Sequence, residues 1–324
     1  MFVEAIHKIL RPIVTPAYVR EVESGAAPTK VWSALEDAGF LDVLVAEEQG
    51  GAGLALPDFH GICRLLGAYA VPVPVAETMV ARRVVAGSRH ELPGPVTIAS
   101  SSAWHAGATL RCASVPFGTV AQTVLAVHDS GTLMLPVEKS SATPSGTWGS
   151  QTASFEWALA ALPQPQGNVE DIRAFAAASY AAMLCGAMEQ VFRLTVQYCN
   201  DRVQFGKPLG KFQAVQHQLA VMAEHLVAAS LAAQAAFRDG TSAPRLLAAA
   251  IAKARASEAA LLAANISHAL HGAIGITEEY DLQLYSRRLH EWRMAHGSEA
   301  FWNNWVGAYM LSGDATFCDF VRAA

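Results

Sequence analysis

Beyond Gly167 the chain runs almost to its end with few helix breakers, and this stretch most narrows the folds open to it. Ala174 to Asn200, Phe212 to Asp239, Ala243 to His271 and a last pair of segments after Glu279 are each rich in strong helix formers and carry a broad apolar face. Such faces are buried against one another, which predicts an antiparallel bundle of four to five helices with close, alanine-lined contacts. Gly240-Thr241-Ser242-Ala243-Pro244 reads as the turn between two of them. Apolar residues make up 52% of the chain and charged ones 16%, a balance that predicts a large shared core or an extensive oligomer interface.

Upstream the texture differs. Residues 1–90 read as helices separated by one extended stretch. Phe2, Ile6, Ile9, Leu10 and Ile13 recur at helical spacing before Pro16, Val31 to Phe40 gives a short helix behind Thr29 or Pro28 as cap, and Pro57-Asp58 suits the first turn of a helix running to about Ala70. Residues 91–166 hold β-rich runs, Val96 to Ala99, Thr123 to Val127 and Leu133 to Val137, divided by turn residues such as Ser130-Gly131. The 324 residues therefore predict an α+β fold: an N-terminal helical domain, a small middle β-domain, and a C-terminal antiparallel helix bundle over residues 167–324.

Several function classes are disfavoured. A formal charge of −5 without a run of basic residues argues against nucleic acid as a partner, and no unbroken apolar stretch has the length of a membrane span. The N-terminus lacks the basic flank, apolar stretch and cleavage site of a secretion signal, so a cytoplasmic protein is expected. Cys63, Cys112, Cys185, Cys199 and Cys318 are widely spaced among apolar neighbours and read as buried thiols. The adjacent pairs Glu47-Glu48 and Glu278-Glu279 point apart, which suits no paired-carboxylate chemistry, and His217 and His271 lack ligand spacing, so no metal is expected.

The chemistry-bearing stretch is Arg202-Val203-Gln204-Phe205-Gly206-Lys207-Pro208-Leu209, followed by Phe212-Gln213-Ala214-Val215-Gln216-His217. It resembles the flavin-contacting signature of the acyl-CoA dehydrogenase family. His271-Gly272-Ala273-Ile274-Gly275 resembles that family's second glycine-rich turn, with Ala269 and Ala273 replacing a usual glutamine and glycine, and Leu44 to Leu54 resembles its Glu-Glu-x-Gly-Gly loop. The resemblance implies FAD, shared across a subunit interface. Arg202 would pair with its pyrophosphate, a task suited to the fixed donor fork of guanidinium. Gln204, Phe205, Gly206, Leu209, Phe212 and Gln213 would line its adenosine end, with Gly272 and Ala273 at the second turn. An acyl-CoA thioester would be desaturated between Cα and Cβ, a base taking the α-proton while the flavin takes hydride.

In most of that family the base is a glutamate in a Tyr-Glu-Gly-Thr stretch; the register here brings Ala295-His296-Gly297-Ser298 onto it, so His296 stands at the base position. The alternative family location, on an earlier helix, falls within Arg173 to Ala178 and holds no carboxylate. Glu291 and Glu299 are the acids nearest His296 in sequence. The chain thus resembles the reduced subunits of bacterial heterotetrameric, steroid-type acyl-CoA dehydrogenases, which implies a homologous catalytic subunit as partner and an electron-transfer flavoprotein or similar acceptor. A non-enzymatic acyl-CoA-binding scaffold, or a homomeric dehydrogenase using His296, are the alternatives.

Overall fold

The computed structural model describes residues 1–86, 92, 94–100, 104–106, 109–128, 131–158, 169–238, 242–313 and 318–319. The expected boundaries near 90 and 166, together with Ser130, Gly240 and Thr241, lie outside these residues.

The described residues of the N-terminal part form helices α1 (Phe2–Ile13), α2 (Pro16–Glu23), α3 (Thr29–Asp37), α4 (Leu56–Ala68) and α5 (Val75–Val85). Pro16 follows the first helix as expected, but it also opens the second. Its missing N–H costs nothing in a first turn, and the Thr15 hydroxyl accepts from the Tyr18 N–H at 3.3 Å. Pro28 occupies the cap position of α3 without a side-chain hydrogen bond, and that helix stops at Asp37 because Gly39 turns left-handed at φ 72°. Gly51 lies against the Val45 carbonyl, where an added Cβ would come within 2.2 Å, so the loop before α4 requires glycine there.

The middle part holds β1 (Val96–Ala99), β2 (Trp104–Ala106), β3 (Thr109–Val115), β4 (Thr123–His128), β5 (Gly131–Pro136), β6 (Ser141–Pro144) and β7 (Ala153–Ala158). The three β-rich runs are β1, β4 and β5; β4 pairs with β1 in parallel, Val96 opposite Thr123, and with β5 antiparallel, Val124 opposite Leu135. The other strands form an antiparallel sheet in the order β2-β3-β7-β6, with a register shift between Cys112 and Val115. Leu110, Cys112, Val124, Leu133, Phe155 and Trp157 fill the space between the sheets, while Ile98, Leu125, Val127 and Met134 face the main core. Burial on both faces explains why these strands read as continuous apolar runs.

The bundle consists of α6 (Val169–Asp201), α7 (Gln213–Ala236), α8 (Leu246–His271), α9 (Leu282–Met294) and α10 (Glu299–Leu311). At 33 residues, roughly 50 Å, α6 is its spine and packs against α4, α7, α8 and α9. Its crossing with α4 is set by two glycines: a Cβ on Gly67 would lie 1.9 Å from the Met183 carbonyl oxygen, and one on Gly186 1.9 Å from that of Arg64.

α7 and α8 are each long and apolar enough on average to cross a membrane, although neither holds an unbroken apolar run of that length. In the fold α8 is surrounded by α6, α7, α9 and α10. α7 buries one stripe, Met222, Leu226, Ala229, Ala233 and Ala236, and leaves Val221, Val227 and Leu231 exposed. Four cysteines are buried free thiols; Cys318 is exposed, because it falls beyond the last packed helix.

Candidate functional site

At the end of α6 the Arg202 N–H still bonds to the Tyr198 carbonyl (2.8 Å), and the Leu209 N–H returns to the Arg202 carbonyl (2.9 Å). Between them β8 (Val203–Gln204) and β9 (Lys207–Pro208) form a hairpin whose two turn residues, Phe205 and Gly206, have φ of 52° and 81°. Two consecutive positive φ values are the tight-hairpin solution; glycine adopts one freely, but a phenylalanine there costs about 1–3 kcal/mol. The Phe205 ring is 91% exposed, so burial in this chain does not offset that strain. Phe205 and Phe212 meet edge-on at 6.3 Å, and the Lys207 ammonium sits 4.3 Å above the Phe212 ring. Gln204 and Gln213 are exposed, Leu209 half-buried. Arg202 is exposed and forms no ion pair among the described residues.

The second turn lies beside the first motif. Tyr198, one helical turn before Arg202, stacks on His271 with centroids 4.4 Å apart, and its hydroxyl donates to the His271 carbonyl at 3.3 Å. Tyr280 closes the other side at 5.2 Å. His271 is buried, which lowers its pKa; its Nδ1 bonds the Ser267 carbonyl (2.8 Å), and its Nε2 is buried without a partner. Gly272 has φ 63° and nothing within 4 Å of where a Cβ would stand; Ala273 is exposed.

The two candidate base positions also converge. Arg173 on α6 and His296 between α9 and α10 line one cavity of ≈ 440 Å³ with Ser100, Met294, Phe301 and Trp302. No carboxylate lines it among the described residues. His296 has φ 57°; its Nδ1 is 2.8 Å from the Ser100 hydroxyl, its carbonyl accepts from Trp302 Nε1 (2.9 Å), and its Nε2 is buried and unpaired. Burial, with the nearby Lys253 charge adding to it, pushes the imidazole down to about 3. Lys253 on α8 is itself fully buried: its ammonium donates to Ser257 Oγ and to the carbonyls of Arg293 and Gly297, each at 2.9 Å. It thereby fixes the turn that presents His296. Burial brings Lys253 down to about 7.

A family description, acyl-CoA dehydrogenase C-terminal domain, matches residues 174–310. The acyl-CoA dehydrogenase IpdE2 of Mycobacterium tuberculosis is 33% identical over 294 residues, which cover 90% of each chain. The chain belongs to the acyl-CoA dehydrogenase family. Its fold matches a chain of the Tcur3481-Tcur3483 steroid acyl-CoA dehydrogenase G363A variant with a TM-score of 0.82 and 25% identity, covering 97% of this chain and 98% of that one. A chain of the ChsE4-ChsE5 complex from Mycobacterium tuberculosis gives a TM-score of 0.82 at 21% identity over 97% of both.

Within this family frame, the residues at the first and second turns fit a dinucleotide. An unpaired exposed guanidinium, a glycine open to close approach, a presented aromatic ring and an orphaned buried imidazole nitrogen stand at one end of the bundle. Neither acid near His296 serves it. Glu291 accepts from Ser150 Oγ (2.9 Å), Thr152 Oγ1 (2.6 Å) and Arg288 (3.0 Å), and Glu299 pairs with Arg293. Ser100 is the partner instead, brought there by β1 from nearly two hundred residues away. Glu47, Glu48, Glu278, Glu279 and His217 are exposed and join no cavity lining described here.

Proposed function

We propose that this chain is the reduced subunit of a hetero-oligomeric acyl-CoA dehydrogenase, completing an FAD site for a homologous partner that supplies the catalytic base. One observation carries the proposal: the hairpin that resembles the family's flavin-contacting signature is exposed, while no carboxylate among the described residues lines the cavity at the base position. His296 is a poor substitute, since an imidazole protonated only below about pH 3 has little hold on an α-proton. The similar chains from a steroid acyl-CoA dehydrogenase and from the ChsE4-ChsE5 complex support a bulky acyl-CoA as substrate and a homologous partner; the electron acceptor in this proposal is an electron-transfer flavoprotein or similar protein.

In this reading Arg202 faces the FAD pyrophosphate with its donor fork, and Gln204, Phe205, Gly206, Leu209, Phe212 and Gln213 enclose the adenosine end, which explains a strained ring held out of the fold. Gly272 leaves the backbone open to close approach, Ala273 beside it adds a Cβ, and Tyr198, stacked on His271, ties the two turns together. An FAD held by these residues would supply the hydride acceptor for Cβ, while the α-proton would go to the partner's base.

Expressed alone, the chain is expected to be colourless and without dehydrogenase activity; co-expressed with a longer homologue that retains its glutamate, it should give a yellow, active complex with both subunits in the native mass. A yellow, active homo-oligomer of this chain alone would sink the proposal, and a colourless complex would favour the scaffold reading. Arg202→Ala should leave assembly intact while weakening FAD retention. Loss of a charge-assisted contact is worth about 1.5–3 kcal/mol, on the order of ten- to a hundredfold in affinity, measured as flavin released on dilution.

A further inference from the structure

We infer that Tyr180 is a plug, closing this subunit's own centre to an acyl chain; the inference rests on the assignment of catalysis to the partner. Tyr180 lies on α6, fully buried, on the inner side of His296. Its ring meets the His296 imidazole edge-on at 4.3 Å and the Trp292 ring at 6.2 Å. Its hydroxyl donates to Glu77 Oε1 on α5 at 2.7 Å. The tyrosine therefore spans the space from the base position to the α5 wall, and a ligand passing His296 in that direction meets its ring.

The anchor makes this a fixed stop. Glu77 is 2% exposed, and its other oxygen has no hydrogen-bond partner. If Tyr180 swung away, the whole carboxyl group would be left unsatisfied in an apolar surround, a cost that holds the ring in place. Tyr180 does not line the cavity formed by Arg173, Ser100 and His296; it packs against the far side of the His296 ring and fills the space behind it. The loss of the base and the filling of the space behind it are separate features of the sequence, and each closes the centre without the other.

Indole binding tests the plug, read as the thermal midpoint of the full-length chain purified with its partner subunit. Tyr180→Ala combined with Glu77→Gln removes the ring without leaving a buried charge, and opens an apolar space of the kind that takes up small aromatic molecules. Millimolar indole is expected to raise the midpoint of the double variant by about 2–4 °C and to leave Tyr180→Phe and the unsubstituted protein unmoved. A comparable rise in the unsubstituted protein, or none in a double variant with native near-ultraviolet dichroism, overturns the inference. If the double variant does not fold, calorimetric titration of the unsubstituted complex with unreactive 3-thiaoctanoyl-CoA decides: one molecule per pair of subunits is expected, and two overturn the plug. Flavin absorbance of the same complex reports separately on the partner assignment, since a colourless complex fails that assignment whatever indole does.

Discussion

Val227→Glu together with Leu231→Glu is expected to split the assembly and release FAD in the same step. Both side chains lie on the side of α7 opposite its buried stripe, 57% and 62% exposed, so the isolated chain tolerates glutamate there with little loss of stability. Apolar surface of this extent on a helix that starts beside the Arg202 hairpin suits burial against another subunit. Burial of the exposed part of two such side chains is worth about 2–4 kcal/mol, so its loss weakens association on the order of tens-fold to a thousandfold before any charge is desolvated. Native mass and flavin absorbance at micromolar concentration check both effects together. If the complex keeps its mass and colour, α7 faces solvent in the assembly and the subunit contact lies elsewhere. If it dissociates but one subunit keeps all the flavin, the interface survives and the shared site does not.

The bundle was legible because breakers are rare in it and mark its turns. All five helices fall where apolar faces and helix formers placed them, with ends displaced by a few residues where the chain leaves a helix before the pattern fades, as at Ala236. The middle domain was only half legible. The continuous apolar runs of β1, β4 and β5 signal burial on two faces, whereas β3 and β7 alternate, and β6 is exposed throughout and carries almost no hydrophobic signal. Pro16 shows the ambiguity of a single residue type, since proline closes one helix and opens the next with equal ease.

At the candidate site, Arg202 to Leu209 is recognisable by its resemblance to a family signature, whereas its hairpin conformation, with Phe205 at φ 52°, carries no local turn signal. The buried polar groups were not read, although their positions carried a signal. Lys253 falls at helical spacing with Ala249, Ala256 and Ala260, all fully buried, so the pattern itself puts a lysine on a buried face. Glu77 likewise follows Pro72-Val73-Pro74-Val75-Ala76, of which Val73, Val75 and Ala76 are core residues. Ser100 as the partner of His296 is a tertiary contact that no local pattern encodes.

Those buried groups set the response to acid, and Glu77→Gln is expected to change it by about 3 kcal/mol between pH 7 and 4.5. His296 is held at about 3 in the fold against 6.5 unfolded, so between pH 6.5 and 3 the unfolded chain binds a proton that the folded chain refuses. Stability from this residue falls as pH falls through that window, by about 1.4 kcal/mol per unit. Glu77 runs the other way: burial raises it from 4.5 to about 7, against the opposing effect of the Tyr180 bond, so between pH 7 and 4.5 the folded chain holds a proton that the unfolded chain has lost. Its contribution rises as pH falls through that range. From pH 6.5 to 4.5 the two slopes oppose and nearly cancel, and Lys253, lowered from 10.5 to about 7, adds slope only above pH 7, where stability rises with pH. Glutamine at position 77 removes one of the opposed slopes and leaves His296 unbalanced. Urea midpoints at pH 7, 5.5 and 4.5, compared with those of the unsubstituted protein, should diverge steadily toward acid, and His296→Gln should diverge the opposite way. Curves for Glu77→Gln that stay parallel to the unsubstituted protein over that range would mean that Glu77 enters the fold already ionised, with Tyr180 bonded to a carboxylate at neutral pH and a charge, not a neutral acid, at the end of the plug.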